Sequence, residues 1–184
     1  MKTIFAALFL TALCQTVSAV SVVGAPIYNP ANGHNYYLLS PSSWDNAELF
    51  SQSLGGHLVS MNNAAENNWV FANFISGHPD LNPWTGLNDI GSPGIWHWSS
   101  GEPVTYLNFA ATEPNGIGSP PYGVNIFPES PYPAYAGQWN DAPIYDVIPG
   151  LAEVPEPAAL SLGLFALGLA FARRPRVGHL LSVG

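Results

Sequence analysis

The pattern of apolar and polar residues near the start of the chain predicts a β-hairpin. Residues 25–29 and 34–40 have the composition of strands. Asn32-Gly33 lies between them, and this dipeptide is favoured in hairpin turns. We therefore predict two antiparallel strands at the beginning of the folded region.

A first amphipathic helix is predicted over residues 44–54. Its apolar face consists of four residues at helical spacing: Trp44, Ala47, Phe50 and Leu54. Ser42 or Ser43 can cap the start of this helix with a side-chain oxygen. Gly55-Gly56 follows directly, and glycine is the residue that most often ends a helix.

A short strand over residues 57–61 and a second helix are predicted next. Asn63 and Glu66 have the spacing of a capping box, in which each side chain binds a backbone N–H of the first turn. The buried stripe of this helix has four members: Trp69, Val70, Phe74 and Ile75.

From Gly77 onward the chain changes character, and Gly, Pro, Asn and Ser separate short aromatic segments. These segments are residues 84–87, 95–98, 106–109, 124–127 and 138–139. Two helices followed by short strands is the pattern of an α+β fold. The proline-rich stretch 116–137 is expected to be a long irregular loop, which in a small domain carries function or is disordered.

Residues 1–19 have the features of a secretory signal peptide. Lys2 precedes the apolar run 4–13, and Val17-Ser18-Ala19 places small residues before the expected cleavage site. The only cysteine of the chain, Cys14, lies in this segment. We therefore expect export through the Sec route and a mature domain, residues 20–153, without disulfides.

Residues 154–184 combine a Pro-Glu-Pro box at 155–157, the apolar run 158–172 and an arginine cluster at 173–176. This combination resembles the PEP-CTERM sorting signal of Gram-negative bacteria. The resemblance implies transient insertion into the inner membrane, removal of the tail by an exosortase, and delivery to the cell surface or extracellular matrix. A weak anchor is the alternative, because the apolar run spans about 22 Å as a helix and a bilayer core about 30 Å.

The charge of the mature domain limits its partners. Residues 20–153 contain eleven of the twelve acidic residues and none of the four Lys and Arg residues. Such a surface repels phosphate groups, so we expect binding neither to nucleic acid nor to anionic membranes. The acidity suits a domain that binds cations or sugars, and adaptation to saline surroundings explains it equally well.

Signatures of catalysis are missing from the sequence. It has no His-Glu-x-x-His zinc helix, phosphate loop, Gly-x-Ser-x-Gly elbow or cysteine nucleophile after the signal segment. A carboxylate pair for glycoside hydrolysis stays open as an alternative, since sequence does not give separations. We predict a binding protein and not an enzyme.

Several motifs occur in the order typical of C-type lectin-like domains, over about residues 28–153. They are Trp44-Asp45, Ala47, residues 54–60, Glu66-Asn67, Trp69, residues 84–87, residues 96–98, Gly101-Glu102, residues 113–115 and residues 139–141. The resemblance implies a C-type lectin-like α+β fold with two helices, short antiparallel strands and a long irregular loop region.

The resemblance also implies a calcium and carbohydrate site. In the family, a Glu-Pro-Asn triplet with a cis proline and an Asn-Asp pair after a tryptophan bind one Ca²⁺ and the hydroxyls of a sugar. By this correspondence Glu113, Asn115, Asn140 and Asp141 are the expected ligands of both. Calcium favours six to eight oxygen ligands, which carboxylates and amides supply. Trp139 is expected in the core.

The chain departs from the family pattern at a further acidic ligand, where Pro121 stands. Glu129 is the candidate replacement, and calcium binding is expected to be weak because affinity follows the number of charged ligands. Asn88 and Asp89 are candidates for an auxiliary calcium site or, alternatively, turn-forming residues.

The four cysteines usual in the family are also missing, and Ser51, Gly123, Ile144 and Ala152 stand near their positions. Glu-Pro-Asn and Trp-Asn-Asp can also persist as motifs that only shape loops. The expected function is calcium-assisted binding of a glycan or exopolysaccharide. The alternative is a calcium-independent module that binds protein or matrix through the long loop.

Overall fold

The computed structural model describes residues 19–116 and 119–156, which contain two α-helices and eight β-strands. The elements are β1 Ile27–Asn29, β2 His34–Ser42, α1 Trp44–Ser53, β3 His57–Leu58, α2 Ala64–Val70, β4 Trp84–Asn88, β5 His97–Trp98, β6 Tyr122–Ile126, β7 Trp139–Pro143 and β8 Ile148–Pro155. The α+β class is confirmed. The predicted signal peptide up to Ser18 and the sorting tail from Pro157 onward lie outside the described residues.

The strands form one sheet in the order β1-β2-β8-β4-β6-β7, with β3 paired to β8 and β5 paired to β4. The predicted hairpin is confirmed, since β1 and β2 pair antiparallel with Ile27 opposite Tyr36. Every pairing is antiparallel among the described residues except that of β4 with β8, where Trp84 lies opposite Gly150.

Helix α1 follows the predicted pattern but not the predicted cap. Ser43 is the N-cap residue, yet its side chain makes no capping hydrogen bond. The first turn is tied instead to a distant segment, because the Trp44 N–H donates to the Ile144 carbonyl at 2.9 Å. The expectation of a serine side-chain cap was therefore wrong, and tertiary contact replaces it.

Helix α2 has half of the predicted capping box. Asn63 Oδ1 accepts the Glu66 N–H at 3.0 Å, as expected. The Glu66 carboxylate accepts the N–H of Asn62 at 3.0 Å, one residue earlier than a capping box requires. The helix then widens into a π-helical turn, Phe71–Ile75, which buries Phe74 and Ile75.

The core consists of two clusters on opposite sides of β8. The larger cluster contains Tyr36, Phe74, Trp98 and Trp139. The smaller contains Trp44 and Trp84, the first residue of β4, and it places α1 against the sheet. Each cluster combines large aromatic rings with aliphatic side chains, and their burial supplies apolar surface to a domain without a disulfide among its described residues.

Four expectations about segments need correction. The strand predicted at 57–61 is limited to His57–Leu58, and 106–109 forms no strand beyond a bridge from Phe109 to Trp139. The expected irregular loop 116–137 contains β6. Strand β8 was not predicted, and it extends to Pro155, past the expected domain boundary at Glu153.

No helix in the described part of the chain is long and apolar enough to cross a membrane. The apolar run 158–172, for which transient membrane insertion is expected, lies outside that part.

Candidate functional site

The segment from Glu113 to Gly116 is held by the side chain of Asp141 on β7. The two carboxylate oxygens of Asp141 accept the N–H groups of Asn115 and Gly116, each at 2.8 Å. Gly116 is needed here, because a β-carbon at this position would overlap Asp141 and the ring of Tyr122. The Glu113-Pro114 bond is cis, as the resemblance implied.

The core anchors this arrangement through Trp139, which precedes the Asn-Asp pair. Trp139 is fully buried, so its expected place in the core is confirmed. The backbone N–H of Trp139 donates to the Asn108 carbonyl at 2.8 Å, and the backbone carbonyl of Trp139 accepts the Ala110 N–H at 3.0 Å. The Glu113 N–H then donates to the Ala110 carbonyl at 2.9 Å. Thus the buried tryptophan sets the positions of both halves of the site.

The carboxyl groups of Glu113 and Asp141 lie next to each other. Burial raises the pKa of Glu113, and the neighbouring Asp141 carboxylate raises it further. Glu113 Oε2 is buried and has no hydrogen-bond partner among the described residues. An unpaired buried oxygen beside a second carboxylate is costly unless a cation or a proton neutralises it. These residues therefore suit a hard cation such as calcium.

Asn140 and Glu129 do not join this group. Asn140 lies between Trp139 and Asp141 on β7, and successive side chains of a strand point to opposite faces. Its Nδ2 donates to Asn125 Oδ1 on β6 at 3.0 Å. Glu129 Oε2 accepts the Gly77 N–H at 3.2 Å. Of the five expected ligands, the structure brings together Glu113, Asn115 and Asp141.

Asn88 and Asp89 have the contacts of turn-forming residues. Asp89 is 1% exposed, and its oxygens accept the N–H groups of Tyr122 at 2.7 Å and Gly94 at 2.9 Å. Asn88 Oδ1 accepts the Ile90 N–H at 3.1 Å. Their oxygens are engaged by the backbone, and neither residue has a buried oxygen without a partner among the described residues, as Glu113 does, which favours the turn-forming interpretation over an auxiliary calcium site.

Sequence reasoning missed two carboxylate centres, one buried and one partly buried. In the first, Glu48 Oε1 accepts from His57 Nδ1 at 2.6 Å, and its Oε2 accepts from the Leu58 N–H and the Ser99 hydroxyl, each at 2.9 Å. Glu48 is only 6% exposed. It joins α1, β3 and the segment after β5, which no local pattern in the sequence indicates.

The second centre is Glu153 on β8. Its Oε1 accepts from His34 Nδ1 at 2.7 Å and from the Tyr36 hydroxyl at 2.9 Å, and the same hydroxyl lies 2.7 Å from Glu66 Oε1. Burial raises the pKa of Glu153 and of Tyr36, and the nearby carboxylates raise that of Tyr36 further. His34 and Glu153 are 119 residues apart, so only the sheet brings them together.

Replacing Glu48 by Ala is expected to lower the free energy of unfolding by about 2–3 kcal/mol, because it leaves the buried Leu58 N–H and the Ser99 hydroxyl without an acceptor. Gln52→Ala is the matched control, since exposed Gln52 donates to the same carboxylate at 2.8 Å. Urea unfolding followed by circular dichroism measures both. Equal losses in the two variants would contradict a structural role for the buried contacts.

The fold and this site define a C-type lectin domain. The lectin C-type domain family matches residues 40–147, so the chain belongs to that family. It is therefore a binding module and not an enzyme. The PEP-CTERM protein-sorting motif matches residues 153–177. The chain thus combines a C-type lectin domain with a sorting motif that implies exosortase-mediated export to the cell surface in bacteria.

Curated relatives agree with this assignment. The chain is 36% identical over 121 residues to the C-type lectin lectoxin-Lio1 of Erythrolamprus poecilogyrus. The matched region covers 62% of this chain and 72% of that protein. It is 41% identical over 91 residues to lithostathine-1 of Mus musculus, covering 47% of this chain and 54% of that protein.

Solved structures share the fold. Human lithostathine superimposes with a TM-score of 0.61 at 29% identity, over 70% of this chain and 96% of the other. The human scavenger receptor C-type lectin carbohydrate-recognition domain does so with a TM-score of 0.60 at 25% identity, over 73% and 100%. A calcium-independent type II antifreeze protein is similar in fold at 23% identity, with a TM-score of 0.57 over 72% and 97%. The expected C-type lectin-like fold is confirmed.

Proposed function

We propose that this domain binds calcium through Glu113, Asn115 and Asp141 and uses the site to recognise a glycan or exopolysaccharide outside the cell. The observation that carries the proposal is Glu113 Oε2, which is buried beside the Asp141 carboxylate without a partner among the described residues. A divalent cation would satisfy this oxygen and remove the repulsion between the two carboxylates.

Each of the three residues has a separate part in the proposal. Asp141 orders the backbone of Asn115 and Gly116 and contributes negative charge. Glu113 supplies the unpaired oxygen, and the exposed Asn115 supplies an amide within reach of solvent. When bound, calcium offers coordination positions that two neighbouring sugar hydroxyls can fill.

Asn140 and Glu129 belong to the proposal as conditional ligands. The Asn140 side chain would have to turn away from Asn125, and Glu129 would have to give up its hydrogen bond with Gly77, before either could reach an ion beside Glu113. Pro121 replaces the further acidic ligand of the family. With two carboxylates in place, we expect a dissociation constant of about 0.1–1 mM, the range of weak extracellular calcium modules.

Calcium titration of the full-length chain tests the site. Calorimetry should detect binding to the native protein, and Glu113→Gln should remove it. Glu102→Gln, at an exposed glutamate outside the site, is the matched control and should bind within about twofold of the native affinity. Affinity should also fall as the pH is lowered, and at a higher pH than an ordinary glutamate would give, because the pKa of Glu113 is raised and protons compete with calcium. Absence of a calcium response in the native protein would contradict the proposal.

The family and the sorting motif support a proposal for the location and the ligand class. We propose that the protein is exported by the Sec route and reaches the cell surface or extracellular matrix of a Gram-negative bacterium after an exosortase removes the tail. Glycans there are the available ligands of a carbohydrate-recognition fold. A glycan array probed with and without calcium should show a set of calcium-dependent signals, and these are lost with a chelator and with Glu113→Gln.

A calcium-independent interaction module is the second candidate. It is favoured by the Asn125–Asn140 hydrogen bond, which uses the amide of an expected ligand within the protein. In that case Glu113 and Asp141 would only shape the loop. Binding to a protein or matrix partner that is unchanged by chelation and by Glu113→Gln would support this candidate over the first.

A further inference from the structure

A second polar cleft lies beside β6 and β7, on the side of the Asn125–Asn140 pair. Its volume is about 350 Å³, and it opens between the segment before β4 and the loop that follows β6. The side chains that line it include Asp80, Asn82, Asn125, Phe127, Tyr132 and Asn140. Glu113 and Asp141 are not among its lining residues.

We propose that this cleft binds a sugar unit of an uncharged glycan directly, without a metal ion. It is a separate site from the one that Glu113 and Asp141 form, and it shares with that site the class of ligand and the conditional ligand Asn140. Three features carry the proposal: an amide pair with spare hydrogen-bonding groups, an exposed aromatic wall, and the absence of positive charge.

The amide pair offers the hydrogen bonds. Asn140 Nδ2 donates to Asn125 Oδ1 at 3.0 Å, and the two residues are directly opposite in the β6–β7 register. The Nδ2 of Asn125 and the Oδ1 of Asn140 have no hydrogen-bond partner among the described residues. One donor and one acceptor side by side match two neighbouring hydroxyls of a pyranose, each of which can donate and accept.

These groups are held in place before any ligand arrives. Asn125 is only 4% exposed and is fixed between β4 and β7. A buried, paired amide loses little side-chain entropy on binding, and such pre-organisation is a main source of affinity for small ligands. The amides thus form a rigid floor to the cleft.

The loop after β6 supplies an aromatic wall. Tyr132 is 48% exposed, and its ring centroid lies 5.2 Å from that of Phe127, which in turn lies 5.6 Å from Tyr135. An exposed ring supported from behind by other rings gives a flat apolar surface with a polar tip. The C–H face of a pyranose can pack on such a surface while its hydroxyls reach the amides.

Hydrogen bonds from backbone N–H groups connect this loop to residues 77–79, in the segment before β4 that forms the opposite wall of the cleft. The Ser130 N–H donates to the Pro79 carbonyl at 3.1 Å, and the Gly77 N–H donates to Glu129 Oε2 at 3.2 Å. At the base of the loop the Phe127 N–H donates to the Gln138 carbonyl at 2.8 Å. Glu129, which is expected as a calcium ligand, here connects the two walls of the cleft through its hydrogen bond with Gly77.

Charge selects among glycans. Asp80 is the only charged side chain of the cleft among the described residues, and residues 20–153 contain no Lys or Arg. A polyanionic chain such as a uronate polymer would be repelled and would find no counter-charge. Neutral hexose polymers meet no such penalty, so they are the ligand class that the cleft fits.

The test uses the full-length chain in a polyoxyethylene detergent, which has no sugar headgroup, with a chelator present throughout. Mannan, dextran and galactan are the neutral probes, and alginate is the anionic probe. Calorimetry should show binding of at least one neutral polymer and none of alginate. Tyr132→Ala should weaken that binding by about tenfold or more, and Tyr132→Phe should keep it within about twofold, because the ring surface persists.

Tyr145→Ala is the matched control, since Tyr145 is an exposed tyrosine outside the cleft, and it should bind like the native protein. No binding of the three neutral polymers under chelation overturns the proposal, as does native affinity in Tyr132→Ala. A parallel titration has calcium in place of the chelator, and neutral-polymer binding that appears only there overturns the cleft and leaves the calcium proposal standing. The calcium titration described above fails or succeeds independently of all these results.

Discussion

Replacing Trp139 by Ala is expected to lower the free energy of unfolding by about 3–5 kcal/mol, the usual loss for truncating a large buried aromatic residue. Its ring centroid lies 5.8 Å from Trp98, 5.6 Å from Tyr106 and 6.0 Å from Phe109, all in edge-on contacts. Its indole N–H also donates to Asn67 Oδ1 at 2.8 Å. The truncation leaves a cavity among the rings and an amide oxygen without its donor.

Urea unfolding followed by far-UV circular dichroism measures this loss. Trp139→Phe is the control that keeps a ring and removes the indole N–H, so it should cost clearly less than Trp139→Ala. A loss below about 1 kcal/mol for the Ala variant, the average for any substitution, would show that Trp139 is not a central packing residue. Because Trp139 also positions the segment leading to Glu113, calcium binding should weaken in parallel.

Replacing Asp141 by Ala is expected to abolish the calcium response and also to destabilise the calcium-free domain by about 2–3 kcal/mol. The carboxylate is 6% exposed and accepts the N–H groups of Asn115 and Gly116. Its removal leaves both donors without an acceptor and frees the segment that carries Glu113. Thermal unfolding with and without calcium measures both effects.

Glu113→Gln provides the contrast, because it should raise the melting temperature of the calcium-free domain at neutral pH. The folded-state pKa of Glu113 is raised, so the folded protein binds the proton more tightly than the unfolded chain. Protonated Glu113 therefore contributes stability to the fold below the pKa that Glu113 has in the unfolded chain. This contribution is lost as the pH rises through the pKa that Glu113 has in the folded protein. A neutral glutamine avoids that loss of stability. We expect the melting temperature of the calcium-free domain to rise by about 2 °C, the effect of removing a modest charge repulsion.

The two variants therefore separate the roles of the two carboxylates. Both should eliminate calcium binding, but they should shift the calcium-free melting temperature in opposite directions. If both variants lowered the calcium-free melting temperature equally, Glu113 would, like Asp141, serve mainly to stabilise the conformation of the segment from Glu113 to Gly116. In that case its unpaired oxygen would be no argument for a cation.

Strand β7 distributes its polar residues between two sites. Asp141 and Asn140 are neighbours in sequence, and the alternation of a strand sends them to opposite faces. Asp141 meets the Glu113 segment, whereas Asn140 meets Asn125 on β6. A motif that resembles a single ligand pair is thus divided between the proposed calcium site and the proposed sugar cleft.

Elements that depend on short-range patterns were predicted well. Helix α1 was expected from four apolar residues at helical spacing, and it forms over Trp44–Ser53. The hairpin followed from a favoured turn pair between two strand-like segments, and β1 and β2 confirm it. Both signals arise within about ten residues, over which local backbone preference and side-chain periodicity act directly.

Strand β8 was missed because its sequence argues against a strand and its partners are distant. It contains Pro149 and Gly150, which weaken strands. Pro149 lies where the pairing with β2 is irregular, between the Leu39–Gly150 and Ser42–Ile148 partners. The irregularity accommodates a residue that cannot donate a backbone hydrogen bond, and only the assembled sheet provides it.

The sequence by itself determined the class of the domain, its helices, its first hairpin and the chemical character of its site residues, since motif order and short-range periodicity are properties of the chain. The tertiary structure alone decided which of those residues meet. In the folded domain Glu113 lies beside Asp141, Asn140 is hydrogen-bonded to Asn125, and Glu129 is hydrogen-bonded to Gly77. Such contacts depend on strand register and on the path of loops across long separations, which local preferences do not specify.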